Sequence, residues 1–175
     1  MHHADHTKFE QASKKDAYEQ ALMAAEGLFD GVSNWVANTA NMSSLLWHLY
    51  KSLDQDPLQH VNWVGVYVKD PKVDNQLILG PFQGKVACQT IRVGKGVCGV
   101  AAEKKETQLV KDVHKFPGHI ACDGNTNSEI VVPIIANDQV VGVIDIDCEE
   151  LNGFDEVDQN NLEKMAALLT KYCEW

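Results

Sequence analysis

The chain has 175 residues, of which 45% are hydrophobic and 23% charged, a composition that fits one globular domain. Its formal net charge of −10 argues against a nucleic-acid surface or an anionic membrane as a partner. No apolar run approaches the ~20 residues of a membrane helix, and the start of the chain, Met1–His6, does not have the pattern of a secretory signal. We therefore expect a soluble protein that is located in the cytoplasm. An additional location in the nucleus stays open.

Two helices are predicted after a polar, flexible tail at residues 1–12. Apolar residues recur at helical spacing over Lys14–Phe29, and Ser33 or Asn34 begins a second helix that runs to about Leu53. In this second helix the predicted apolar positions are Val36, Ala40, Leu45, Leu46, Leu49 and Leu53.

A strand is predicted over 61–69, because aromatic and valine residues alternate there. Its valine face, formed by Val64, Val66 and Val68, is expected to pack against the helices. On the other face, Trp63 and Tyr67 flank Gly65, and the missing side chain is expected to leave a slot. The alternative is that these aromatic residues only cover the sheet.

Two further strands are predicted, a short one over 76–81 and one over 85–93 that carries Cys88. The glycines of 94–99 match G-x-G-x-x-G, but the helix that follows, about Val97 to Lys104, is too short for the crossover of a dinucleotide site. We expect these glycines to make a tight turn and a close backbone approach instead.

The loop over 111–128 is long enough to suggest function or disorder, and it carries Cys122. Two strands, 128–136 and 139–148, are predicted to form a hairpin across Asn137 and Asp138. Glu129 lies at the entrance of the first strand, and Asp145 and Asp147 share one face of the second.

A last helix is predicted to begin after Asp155, with an apolar stripe formed by Val157, Leu162, Met165, Leu168, Leu169 and Tyr172. Hairpin-connected strands with helices at both ends predict an α+β fold. In this fold a mainly antiparallel sheet has the N- and C-terminal helices packed on one face, and one domain spans 13–175.

The five cysteines are an odd number and include no Cys-x-x-Cys, so catalytic or redox thiols are favoured over a structural disulfide framework. They are Cys88, Cys98, Cys122, Cys148 and Cys173.

Five segments together resemble the GAF-domain free methionine-(R)-sulfoxide reductases, most closely the fungal type. They are Trp63-x-Gly-x-Tyr67, the segment 79–88, Gly94-x-Gly96-Val97-Cys98-Gly99, the loop 118–129, and 142–147. The likeness runs from the first helix to the last. It implies an oxidoreductase that converts free L-methionine-(R)-S-oxide to L-methionine, acts against oxidative stress, forms a homodimer and binds no cofactor. Thioredoxin would be its electron donor, with NADPH used indirectly.

The resemblance also implies roles for the cysteines and for the other matching residues. Cys122 would attack the sulfoxide sulfur and become a sulfenic acid, Cys88 would resolve it as a disulfide, and Cys98 would be an auxiliary thiol. Trp63 and Tyr67 would hold the methyl end of the substrate. The acids would bind the substrate ammonium and protonate or hydrogen-bond the sulfoxide oxygen; they are Glu129, Asp145 and Asp147.

The chemistry is consistent with such roles, since a sulfoxide oxygen leaves only when it is protonated. Nearby carboxylates should also raise the pKa of a thiol and make it less reactive, so we expect the acids to share a proton. Two alternatives stay open. One is a GAF-type sensor that binds a small molecule without chemistry. The other is a metal site at His114, His119 and Cys122, for which no fourth ligand is evident, and we predict no metal.

Overall fold

The computed structural model describes residues 13–53, 57–119 and 123–175. The tail predicted at 1–12 lies outside these residues, so the domain limits of 13–175 stay a prediction. The helices are α1 (Lys14–Phe29), α2 (Trp35–Ser52), α3 (Gly96–Lys104) and α4 (Glu156–Tyr172). The strands are β1 (Val61–Lys69), β2 (Gln76–Gly84), β3 (Thr90–Arg92), β4 (Gln108–Val110), β5 (Ser128–Ala136) and β6 (Gln139–Cys148).

An antiparallel sheet of six strands forms the centre of the part of the chain that the structure describes. Its spatial order is β3-β2-β1-β6-β5-β4, and every neighbouring pair is antiparallel. The α+β prediction is therefore confirmed. Among the described residues, no helix combines the length and the apolar character that a membrane span requires.

The larger core lies between one face of the sheet and three helices, α1, α2 and α4. Val64, Val66 and Val68 face these helices as predicted, and the aliphatic residues of β5 and β6 that share their face join them. The opposite face carries a second apolar cluster that is covered by α3. Because side chains alternate along a strand, residues 63, 65 and 67 of β1 lie on this second face.

Three apolar positions predicted for the helix stripes are wrong, because Val36, Ala40 and Val157 are exposed. In α2 the buried face instead includes Thr39 and Ser43, whose hydroxyls donate to the backbone carbonyls of Trp35 and Thr39, respectively. A polar side chain that bonds to its own helix can be buried, so apolar spacing alone did not locate this face.

The strand predictions around Cys88 are also wrong in part. β2 does not end near residue 81 but continues to Gly84, and only Thr90–Arg92 of the strand predicted over 85–93 is extended and paired. Cys88 therefore lies in an irregular segment, 85–89, between two strands. The predicted turn after it is present: Gly94 and Gly96 have positive φ, and a Cβ on Gly99 would meet the Arg92 carbonyl oxygen.

Candidate active site

Strand register brings the three predicted acids and Trp63 together on the face that α3 covers. Glu129 on β5 lies opposite Asp147 on β6, and Asp147 lies opposite Trp63 on β1. In the next row, Asp145 lies opposite Gly65. Residues directly opposite in an antiparallel pair have Cβ atoms about 5 Å apart, so these carboxyl groups crowd one another.

The environment of the three acids favours their neutral forms. Glu129 and Asp145 are each only 6% exposed, and Asp147 is partly buried. Burial raises the pKa of Glu129, and the charges of Asp145 and Asp147 raise it further. Burial raises the pKa of Asp145 to about 6 and also raises that of Asp147, which additionally faces the charge of Asp145. Close, buried carboxyl groups cannot all ionise, so the cluster retains protons near neutral pH.

Cys98 lies in the first turn of α3 and lines the same cavity as the acids. It is 4% exposed, and its sulfur lies within 4.8 Å of a carboxylate oxygen of Asp145. Burial raises the pKa of this thiol, and the charges of Asp145 and Glu129 raise it further. A buried thiol beside carboxylates is a poor nucleophile, because the reactive form is the thiolate.

The expected open slot at Gly65 is not present, because the ring of Trp63 fills it. A Cβ on Gly65 would lie 2.6 Å from Trp63 Cη2 and would also meet Phe82 Cβ. The Trp63 ring stacks between Phe82, with ring centroids 5.2 Å apart, and Tyr67, with centroids 5.8 Å apart. The glycine therefore permits a continuous stack of three aromatic rings, which we call the aromatic wall (Trp63, Tyr67 and Phe82). Trp63 and Tyr67 of this stack line the cavity.

The aromatic wall also fixes the segment that carries Cys88. Trp63 donates from Nε1 to the Lys85 carbonyl oxygen at 3.1 Å, and the Tyr67 hydroxyl donates to the Cys88 carbonyl oxygen at 3.1 Å. Both ends of the irregular segment are thus tied to β1. Cys88 itself is disulfide-bonded.

The loop between β4 and β5 lines another part of the cavity with His119, Asp123 and Thr126. The Asp123 carboxylate accepts hydrogen bonds from Lys85 Nζ at 3.2 Å and from Asn62 Nδ2 at 3.3 Å. His119 Nε2 lies 3.7 Å from Glu129 Oε2. Burial lowers the pKa of His119, and the charge of His114 lowers it further. Cys122, the predicted nucleophile, lies outside the described residues.

Comparison with known proteins shows which family the chain belongs to. A GAF domain model matches residues 39–171. The free methionine-R-sulfoxide reductase of Saccharomyces cerevisiae is 59% identical over 175 aligned residues, which span 99% of this chain and 95% of the yeast protein. The enzyme of the same name from Escherichia coli is 40% identical over 159 residues, covering 91% of this chain and 90% of its own. The chain belongs to the GAF-domain free methionine-(R)-sulfoxide reductases.

A solved structure of another family member has the same fold. The free methionine-R-sulfoxide reductase of Neisseria meningitidis, determined in complex with its substrate, superposes with a TM-score of 0.85 at 38% identity. The match covers 94% of this chain and 92% of the Neisseria chain. The predicted family is thus confirmed, and the chain is an oxidoreductase.

Within this reductase, the structure places most predicted site residues around one cavity. The cavity is lined by Trp63, Tyr67, Cys98, Glu129, Asp145 and Asp147. Cys88 lies in a segment whose residues 85–87 line it too. The histidines of the alternative metal site have different neighbours: His114 Nε2 is 2.8 Å from Asn127 Oδ1, whereas His119 faces Glu129.

Four residues near the cavity were missed from the sequence, namely Asn62, Lys85, Asp123 and Thr126. Asp123 connects the loop before β5 to both Lys85 and Asn62, and Asn62 also lies 3.4 Å from the Thr126 hydroxyl. The residues that these hydrogen bonds join are 38 to 64 positions apart in the chain. The sequence signal that could have located this group is that Lys85, Asp123 and Thr126 lie in the segments 79–88 and 118–129, which carry the family resemblance.

Proposed function

We propose that the chain reduces free L-methionine-(R)-S-oxide to L-methionine and water, using two cysteine thiols as the reductant. The observation that supports this most directly is the position of Cys88. It is disulfide-bonded, and its segment borders a cavity that combines an aromatic wall with three acids of raised pKa. A thiol pair can supply the two electrons, and the acids can supply the proton that the departing oxygen needs.

In the proposed reaction, the Cys122 thiolate attacks the sulfoxide sulfur, and the sulfoxide oxygen is transferred to the sulfur of Cys122. Methionine is released and a sulfenic acid remains on Cys122. The Cys88 thiol then attacks this sulfenic acid, so that a disulfide forms and water leaves. The thiols of Cys98, Cys148 and Cys173 are free in the structure, which supports Cys122 as the disulfide partner of Cys88.

Cys98 is assigned the auxiliary role, in which it exchanges with the disulfide. Its burial and the neighbouring carboxyl groups raise the pKa of its thiol, which favours Cys122 as the attacking residue. Trp63 and Tyr67 are assigned the methyl end of the substrate, since a thioether-like group packs well against aromatic rings.

The three acids are assigned to the substrate ammonium and to the sulfoxide oxygen. A cluster that retains a proton can donate it, and its ionised members can neutralise the ammonium of a free amino acid. We expect Glu129→Gln, Asp145→Asn and Asp147→Asn each to lower kcat/KM, with at least one loss of about a hundredfold or more. Glu19→Gln, an exposed acid on α1, is the matched control and should retain full activity. Near-normal values for all three cavity variants would mean that the proton comes from another group.

The overall reaction is tested by NADPH consumption with thioredoxin, thioredoxin reductase and each epimer of free methionine sulfoxide. We expect turnover with the R epimer and none with the S epimer. Cys173→Ser, which changes a free thiol that does not line the cavity, should retain this activity. Binding of the R epimer without NADPH consumption would favour a small-molecule sensor.

Thioredoxin as the donor, the homodimer and the role in oxidative stress remain predictions from the resemblance, and the cytoplasmic location remains a prediction from the composition and hydropathy of the sequence. The coupled assay tests the first of them. Sedimentation of the purified chain tests the dimer, and its distribution between cell fractions tests the location.

A further inference from the structure

Three potential metal ligands meet on one side of the cavity. They are the Cys98 sulfur, a carboxylate oxygen of Glu129 and a carboxylate oxygen of Asp145, and all three atoms lie within 4.8 Å of one another. Each residue is at most 6% exposed. These donors come from α3, β5 and β6, so only the folded chain brings them together.

One carboxylate oxygen of Asp145 has an unmet bonding capacity. Asp145 Oδ1 is buried and has no hydrogen-bond partner among the residues that the structure describes. A buried polar oxygen without a partner costs free energy, because it has lost its hydrogen bonds to water. Asp145 lines the cavity, so its carboxyl group borders the space that a ligand would enter.

We propose that Cys98, Glu129 and Asp145 bind a divalent cation of the zinc type, and that this ion excludes the substrate from the cavity. Zinc accepts sulfur and carboxylate ligands together, and sites with three protein ligands keep the fourth position open. Zn–ligand bonds of about 2.0–2.3 Å place tetrahedral ligand atoms about 3.3–3.8 Å apart. The most widely separated donors would therefore need to move closer by at most about 1.5 Å.

The donor set selects the class of metal. A thiolate is a soft ligand, which favours Zn²⁺ or Co²⁺ over Mg²⁺ or Ca²⁺. One thiolate and two carboxylates carry three negative charges, and a divalent ion offsets two of them inside a buried site. The metal site itself does not depend on the proposed function. Exclusion of the substrate does, because it rests on Glu129 and Asp145 also binding the substrate.

Cobalt titration tests the site, since a thiolate ligand gives Co²⁺ a charge-transfer absorption. The protein carries His2→Ala, His3→Ala and His6→Ala, because these N-terminal histidines could bind cobalt themselves. It is used with the Cys88 disulfide formed and without added thiols. We expect one saturable equivalent of Co²⁺ with a thiolate band, which Zn²⁺ abolishes by displacement.

Variants then assign the ligands. Cys98→Ala should lose the thiolate band, whereas the matched control Cys173→Ser should keep it. Asp145→Asn and Glu129→Gln should each weaken cobalt binding by tenfold or more. Mutation of residues that only hydrogen-bond to metal ligands already lowers metal affinity by about 10- to 100-fold, so loss of a ligand should cost at least as much. A band that persists in Cys98→Ala, or no saturable band in the background protein, would overturn the site.

Exclusion of the substrate is measured without the recycling enzymes, which zinc could also inhibit. Reduced, desalted protein is mixed with free methionine-(R)-sulfoxide, and the rate of methionine release is followed in a single turnover. We expect Zn²⁺ to raise the half-saturating substrate concentration tenfold or more and to leave the maximal rate unchanged. An unchanged half-saturating concentration at a zinc level that saturates the cobalt-detected site would overturn the exclusion. Because the cobalt spectra need no turnover, they stand even if the proposed function fails.

Discussion

Gly65→Ala tests whether the aromatic wall depends on the missing side chain at this position. The added methyl would lie 2.6 Å from Cη2 and 2.9 Å from Cζ3 of the Trp63 ring, and it would also meet Phe82 Cβ. None of these contacts can be relieved by a flexible chain end. The ring stacks between two aromatic residues and is fixed by its hydrogen bond to the Lys85 carbonyl oxygen.

Overpacking of this kind costs about 1–3 kcal/mol of unfolding free energy. For a domain of this length, each kcal/mol lowers Tm by about 2–4 °C, so we expect a fall of about 2–12 °C. The displaced ring should also lower kcat/KM with free methionine-(R)-sulfoxide, because it lines the cavity. Thermal and urea unfolding, followed by circular dichroism, measure the first effect, and the coupled NADPH assay measures the second.

Gly27→Ala is the matched control. Gly27 lies inside α1, and a Cβ there has no heavy atom within 4 Å, so alanine should stabilise the chain by about 0.5–1 kcal/mol. Its activity should be unchanged. If Gly65→Ala is as stable and as active as the wild type, the Trp63 ring is not held against this glycine and the fixed aromatic wall is refuted.

Two further predictions concern the thiols and pH. Cys122→Ser should abolish turnover, since a hydroxyl cannot replace the thiolate, whereas Cys88→Ser should release about one methionine per chain and then slow; steady turnover in either would reassign its role. Asp145→Asn should raise the free energy of unfolding at pH 7.5 by at most roughly 3 kcal/mol, the equivalent of about two pKa units, and Tm should rise with it. The pKa of Asp145 is raised to about 6 in the folded chain, so the folded state binds its proton more tightly. Stability is therefore lost as pH rises from about 4 to about 6, and the gain from asparagine should vanish below about pH 4. An equal gain at both pH values would contradict this origin.

Elements whose signals are local were predicted accurately. The hairpin of β5 and β6 has its limits where the sequence indicated, and Asn137 and Asp138 both adopt the positive φ that a two-residue turn requires. Asp155 caps α4, as its position before the apolar stripe indicated. In each case the residues that determine the structure are neighbours in the chain.

Features that depend on distant contacts were not predicted. Whether Gly65 leaves a slot depends on the rotamer of Trp63 and on Phe82, which lies on a different strand. The end of β2 and the irregular segment at Cys88 depend on hydrogen bonds from Trp63 and Tyr67. For the site, the sequence indicated which acids share a face, but not that Cys98 and His119 would lie against them.

In the proposed mechanism, two thiols of this chain supply the electrons that reduce free methionine-(R)-sulfoxide. The most direct test of this mechanism is a single turnover of fully reduced protein without thioredoxin, in which methionine is quantified and the mass of the intact protein is measured. We predict one methionine per chain, a protein that is lighter by two hydrogens, and a disulfide between Cys88 and Cys122 in the peptide map. Methionine release without loss of the two hydrogens, or substrate binding without methionine release, would mean that the two thiols are not the source of the electrons.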